Sequence, residues 1–165
     1  MITYDVFMPM GEAEYRKGAR DRIGEAFLLL QQEAFGGSVY LAGRGAEGAL
    51  RAVVWKADPE IRQRRKSFDA GHDLRNLLTN VRNLGLLRTG GPDDSLIADV
   101  QHVARLWYNN MRFASARAIE TQWYNLGEIS GHRTFKQASR EFYDSCSAVI
   151  KRCEALCQNR MSRTP

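Results

Sequence analysis

The chain has 165 residues, of which 44% are hydrophobic and 26% charged, with a net charge of +5 and a pI near 9.3. That length suits one domain around a single core, and no apolar run is long enough to span a membrane. The positive excess is mostly arginine, whose planar fork matches phosphate, so the charge fits a nucleic acid or phosphate partner without requiring one.

The opening residues Met1-Ile2-Thr3-Tyr4-Asp5-Val6 place an acid where a secretion signal carries basic residues, and no apolar stretch follows. This points to the cytoplasm. Residues 1–10 read as an N-terminal arm, with Pro9 and Gly11 at its end, and residues 11–158 as the folded bundle. Helix one is expected from about Gly11 to Gln32. Its apolar set Tyr15, Ala19, Ile23, Phe27 and Leu30 recurs every three or four residues, with charges on the opposite face. Phe35-Gly36-Gly37-Ser38 reads as a break or bend after it.

The second helix, about residues 37–57, is the most unusual stretch. Val39, Ala42, Ala46, Ala49 or Leu50, and Val53 follow helical spacing, among many glycines and alanines. Glycine inside a helix costs about 1 kcal/mol relative to alanine, so close approach of neighbouring helices is the expected compensation. Gly43, Ala46 and Ala49 should face those neighbours. Glu47 stands four residues before Arg51, the favourable order for an i,i+4 ion pair.

Residues 58–70 hold the densest positive cluster, Arg62, Arg64, Arg65 and Lys66. A solvated loop is the ordinary reading of such a run, and a phosphate or RNA contact the functional one. The third helix opens at Gly71-His72-Asp73-Leu74, with His72 or Asp73 as its cap, and runs to about Gly85. Arg75 and Arg82 lie seven apart on it. With Arg44 and Arg51 of helix two they can line an anionic groove, against the commoner outcome of a solvated basic face. Thr89-Gly90-Gly91-Pro92 is a loop, and Asp93, Asp94 and Ser95 supply N-cap candidates and helix-start acids for a fourth helix ending near Trp107.

A short helix is expected from about Ser115 to Leu126. The last helix starts at Ser130 or Thr134 and runs to about Gln158, with residues 159–165 fraying. Its Cys146, Cys153 and Cys157 fall on one face, read as buried free thiols: residues seven apart on a helix lie about 10 Å apart, too far for a disulfide. Trp55, Trp107 and Trp123 read as core or interface residues. The expected fold is all-α, an antiparallel, up-down four-helix bundle with a short additional helix.

Three blocks carry a family resemblance. Tyr40-Leu41-Ala42-Gly43 followed by Ala46-Glu47-Gly48-Ala49-Leu50-Arg51-Ala52 resembles helix two of the HEPN family of small helical-bundle proteins, found mainly in prokaryotes. Gly71-His72-Asp73-Leu74 is similar to its His-Asp-Leu helix start, and Arg112-Phe113 to a common Arg-Tyr pair. The resemblance covers about residues 12–157. It implies the four-helix bundle, often as a homodimer. Members include ribonuclease toxins, antiviral nucleases, partners of minimal nucleotidyltransferases, and bundles presumed to bind nucleotide or RNA. The nucleases carry an arginine, four to six residues, then a histidine on a late helix.

Only Arg65 and His72 have that spacing here, and they lie at the start of helix three. The chemistry is available: histidine accepts a proton near neutral pH and arginine stabilises a phosphorane. Gly43-Arg44-Gly45-Ala46-Glu47-Gly48 matches a dinucleotide fingerprint by letter only, since no strand precedes it. No cofactor or metal set stands out. The leading expectation is therefore a non-catalytic nucleotide- or RNA-binding, regulatory subunit of a nucleotidyltransferase, toxin–antitoxin or other defence system. Arg44, Arg51, Arg62, Arg64, Lys66, Arg75 and Arg82 are its candidate phosphate contacts. The alternatives are a metal-independent ribonuclease using Arg65 and His72, and a structural oligomerisation module.

Overall fold

The structure is a computed structural model that describes residues 10–58, 60, 72–87 and 90–159. These residues form helices α1 (Glu12–Gln31), α2 (Phe35–Ala57), α3 (Leu74–Asn83), α4 (Pro92–Leu106), a 3-10 turn at Asn109–Phe113, α5 (Ala116–Asn125) and α6 (Phe135–Asn159). The protein is all-α; among the described residues the only β pairing is a bridge between Ser130 and Arg133. The expected arm, the run from Arg62 to Lys66, Gly71 and the tail after Asn159 lie outside the described residues, apart from Met10.

The four long helices α1, α2, α4 and α6 alternate in direction. Ser38 Oγ donates to the Ala26 carbonyl, and Gly48 lies against Tyr15, so α1 and α2 are antiparallel. Phe35 meets Phe135, and Lys56 Nζ donates to the Cys157 carbonyl at the other end, so α2 and α6 run parallel. Arg152 with Asp93, and Phe142 with His102, set α4 antiparallel to α6. The two short helices are α3, packed between α2 and α4, and α5; the sequence reading allowed for one shorter helix, and α3 is as short as α5, with 10 residues each.

Helix α2 is the centre because its side chains are small enough. Fourteen of its 23 residues are buried. A Cβ placed on Gly43 would lie 2.2 Å from the Trp107 ring, so Gly43 is the floor on which that indole rests. Gly45 and Gly48 let the α1 backbone approach at Ala19 and Tyr15. Ala46 and Ala49 are buried, at 1% and 2% exposure, as the packing reading requires.

One boundary differs from expectation. Phe35-Gly36-Gly37-Ser38 does not break the chain but forms the first turn of α2. The reversal occurs earlier, at Gln32–Ala34, where Glu33 takes φ +59 and Ala34 N–H closes back on the Leu29 carbonyl at 2.9 Å. That is a left-handed cap made without glycine. Gly36 and Gly37 are instead packing glycines: added Cβ atoms would sit 3.1 Å from Ala116 Cα and 3.0 Å from Leu29 Cδ1.

Caps are otherwise local and legible. Asp73 accepts from the Arg75 N–H at 2.8 Å and starts α3. Thr134 and Gln137 exchange side chain-to-backbone bonds at the start of α6, a capping box. Asp94 lies in the first turn of α4 and accepts from Gly90 N–H at 3.4 Å, but the N-cap position is taken by Gly91, with no side-chain cap. Asp93 departs from the reading as a cap: its carboxylate is buried and bound by Arg152, tying α4 to α6. The three cysteines are buried and free, and burial raises each thiol pKa, Cys157 to about 11.

Candidate functional site

Glu47 is an acid in a helix of small and apolar residues, and it is 2% exposed. A carboxylate buried that deeply is tolerable only with charged partners and satisfied lone pairs. Helical spacing supplies two of them. Arg44, one turn before, donates from Nη1 to Oε2 at 2.7 Å. Arg51, one turn after, donates from Nε to Oε1 at 2.8 Å. The third partner is distant in sequence: His72, at the residue before the α3 cap, brings Nδ1 to 3.0 Å from Oε1.

That contact fixes the imidazole chemistry. A carboxylate oxygen offers only lone pairs, so the nitrogen facing it must carry the proton. Arg44 Nη1, 3.2 Å from the same Nδ1, is a donor as well, and its hydrogen bond therefore goes to Glu47. In the neutral ring, Nε2 is then left as an acceptor. The His72 side chain is 46% exposed, so the ring is anchored on one edge and open to solvent elsewhere.

His72 borders two clefts. The larger, about 620 Å³, runs between α1 and α2 and is lined by Glu14, Lys17, Asp21, Arg22, Arg44, Glu47 and Arg51, among others. The smaller, about 340 Å³, lies between the start of α3 and the Trp107–Asn110 segment, with Arg75 on its wall. The structure thus gathers Arg44, Arg51 and His72 at Glu47, and sets Arg75 on the far side of His72. Arg82 is not part of this group. It is exposed, borders neither cleft, and lies seven residues beyond Arg75, about 10 Å along the helix axis. Among the described residues, neither of these two clefts joins Arg82 to the other three arginines. Arg62, Arg64, Arg65 and Lys66 lie outside the described residues, and so does any pairing of Arg65 with His72.

Sequence reading found Glu47 only as the partner of Arg51. The available signal was a lone acid inside a small-residue helix, which marks a buried charge in need of cations. The role of His72 at that charge was not readable, because 25 residues separate the two.

A second polar centre was missed altogether. Glu128, 5% exposed, is bound by Arg105 and by Arg133, the latter at 2.8 Å. His102, which feels the charges of the same two arginines, lies against Phe142, at 6.5 Å between ring centres. Burial, then the charges of Arg105 and Arg133, lower the His102 pKa, against the opposing charges of Asp99 and Glu141.

The tryptophans divide as structural residues. Trp107 donates from Nε1 to the Tyr40 carbonyl at 3.2 Å, and Trp123 to the Leu106 carbonyl at 3.1 Å; both rings are buried. Trp55 is half-buried and lies near Tyr15. Among the described residues, no three His, Cys, Asp or Glu side chains are grouped to hold a metal ion, and no helix is long and apolar enough to cross a membrane. No family model matches the chain, and neither curated proteins nor solved structures include a match.

Proposed function

We propose that this chain is a HEPN-like helical bundle that binds a nucleotide or RNA as a non-catalytic, regulatory subunit, working beside a nucleotidyltransferase or a defence enzyme in the cytoplasm. The observation that carries the reading is the meeting of two clefts at His72, with Arg44 and Arg51 on one side and Arg75 on the other. Arginine and a protonatable imidazole at one junction suit a phosphodiester, which offers charged oxygens at the spacing of a strand. The chain's charge of +5 adds a favourable long-range field. The motifs of α2 and of the α3 start are the basis for the family name.

The test is RNA binding by fluorescence anisotropy across a salt series. Affinity should fall steeply as salt rises, and Arg44→Ala together with Arg75→Ala should flatten that slope. No binding at low salt sinks this reading and leaves the oligomerisation module. Light scattering over a concentration series tests the homodimer that the resemblance implies.

A second reading has its own observation. A carboxylate that holds Nδ1 of a histidine leaves Nε2 as a proton acceptor, the arrangement a general base requires. On this reading the chain is a metal-independent ribonuclease with Arg65 and His72 as catalytic residues and Glu47 as a positioning residue. Cleavage of RNA in the presence of a chelator, abolished by His72→Ala, would establish it over the non-catalytic one.

A further inference from the structure

The smaller cleft differs from the larger one in what lines it. Its walls combine a guanidinium with aromatic and amide groups: Arg75 and the His72 ring line it together with Trp107, Tyr108, Asn109 and Asn110. Its volume, about 340 Å³, is at the scale of one small ligand and too small for a length of strand. Trp107 is held by Gly43 and the Tyr40 carbonyl, so its part of the cleft has a rigid floor, while Tyr108 is 43% exposed beside it. Asp73 also borders the cleft, but its carboxylate is turned back onto the Arg75 N–H. One group is unsatisfied. Asn109 Oδ1 is buried and accepts no hydrogen bond. An orphaned buried acceptor is unfavourable, and turning that amide toward a donor in the cleft relieves it.

We infer that this cleft holds a single nucleotide whose base carries an exocyclic amino group, adenine or cytosine. The base lies on the Trp107–Tyr108 side and donates its amino hydrogen to Asn109, while the phosphate meets Arg75. Arginine suits the phosphate because its fork makes paired bonds to two oxygens. An aromatic wall suits any base, and the amide supplies the discrimination. The inference rests on the nucleotide- or RNA-binding reading and assigns to it a ligand class and a place.

The experiment is calorimetric titration of the full chain with AMP, CMP, UMP, adenosine, inorganic phosphate and a short oligo(A). AMP and CMP should bind about tenfold or more tighter than UMP, the worth of one well-placed hydrogen bond to a group otherwise unpaired. Adenosine should bind more weakly than AMP. Arg75→Ala, an exposed substitution, should bring AMP down to the adenosine level and keep the preference over UMP. Asn109→Leu should remove the preference. AMP competing fully with oligo(A) identifies a free mononucleotide as the occupant; the same base preference seen only in oligonucleotides identifies a nucleotide within a strand. UMP equal to AMP, or a preference untouched by Asn109→Leu, overturns the assignment. If RNA still binds with salt dependence in that case, the assignment falls alone. If nothing binds, the functional reading falls with it.

Discussion

Two buried glutamates in this protein have nearly the same company and different surroundings. Glu47 and Glu128 are each bound by two arginines, and a histidine belongs to each cluster: His72 contacts the Glu47 carboxylate, and His102 lies within the field of the two arginines that bind Glu128. At Glu47 the histidine touches the carboxylate, is half in solvent, and stands between two clefts. At Glu128 the histidine packs on Phe142, is pushed toward neutrality by burial, and borders neither cleft. The same residue types therefore serve attachment in one place, where a loop is fastened to α4, and presentation of a ring in the other. Surroundings decide which.

The largest expected effect separates the two carboxylates. Glu47 is 2% exposed and binds Arg44, Arg51 and His72, so Glu47→Ala breaks up a buried charge cluster and should cost about 3–5 kcal/mol. Arg105 and Arg133 are 44% and 30% exposed and can turn to water, so Glu128→Ala should cost only about 1–2 kcal/mol. Urea unfolding of both variants measures the difference. Equal costs would erase the distinction drawn here.

Next in size is the support beneath the smaller cleft. Gly43→Ala forces the Trp107 ring off α2 and should cost about 1–3 kcal/mol by overpacking. Ala46→Leu, at another buried site on α2, should cost a similar amount. Gly24, with nothing within 4 Å of an added Cβ, is the control: Gly24→Ala should stabilise by about 0.5–1 kcal/mol. A tolerated Gly43→Ala would mean that α2 does not fix the cleft floor.

These cases also show what the sequence could carry. The close approach at Gly43, Gly45 and Gly48 was legible because glycine in a helix needs a local explanation, and packing is the usual one. The Glu47–Arg51 pair was legible because helical spacing alone brings it about. Gly36 and Gly37 misled for the same reason: they signal a break, and here their lack of side chain serves contact with Ala116 and Leu29, while Glu33 makes the turn with no local sign of it. His72 at Glu47, Asp93 at Arg152 and the Glu128 centre depend on which helix ends meet. That information is spread over contacts 25, 59 and 23 residues apart.

A smaller effect concerns His102 and pH. The His102 pKa lies below the 6.5 of a free imidazole, chiefly through burial. The unfolded chain then takes up the proton more readily than the folded one. Stability from this residue is complete above pH 6.5 and declines as the pH falls below it. His102→Gln should flatten that decline between pH 6.5 and 5, read as melting temperature against pH, with a change smaller than that of Gly43→Ala. An unchanged profile would remove His102 as a proton-linked group.

The smallest effect on stability should carry the largest functional consequence. His72→Ala removes a side chain that is 46% exposed, and it leaves Glu47 with both arginines. Its cost in urea should stay within about 0.5 kcal/mol. RNA binding or metal-free cleavage should nonetheless fall, since His72 is the one residue that both clefts share. His102→Ala should do the reverse, leaving binding intact and lowering stability, because its ring fills space against Phe142. A large stability loss in His72→Ala with binding unchanged would make Glu47 a second structural fastening like Glu128. The opposite pairing would mark the junction at His72 as the place where this bundle meets its ligand.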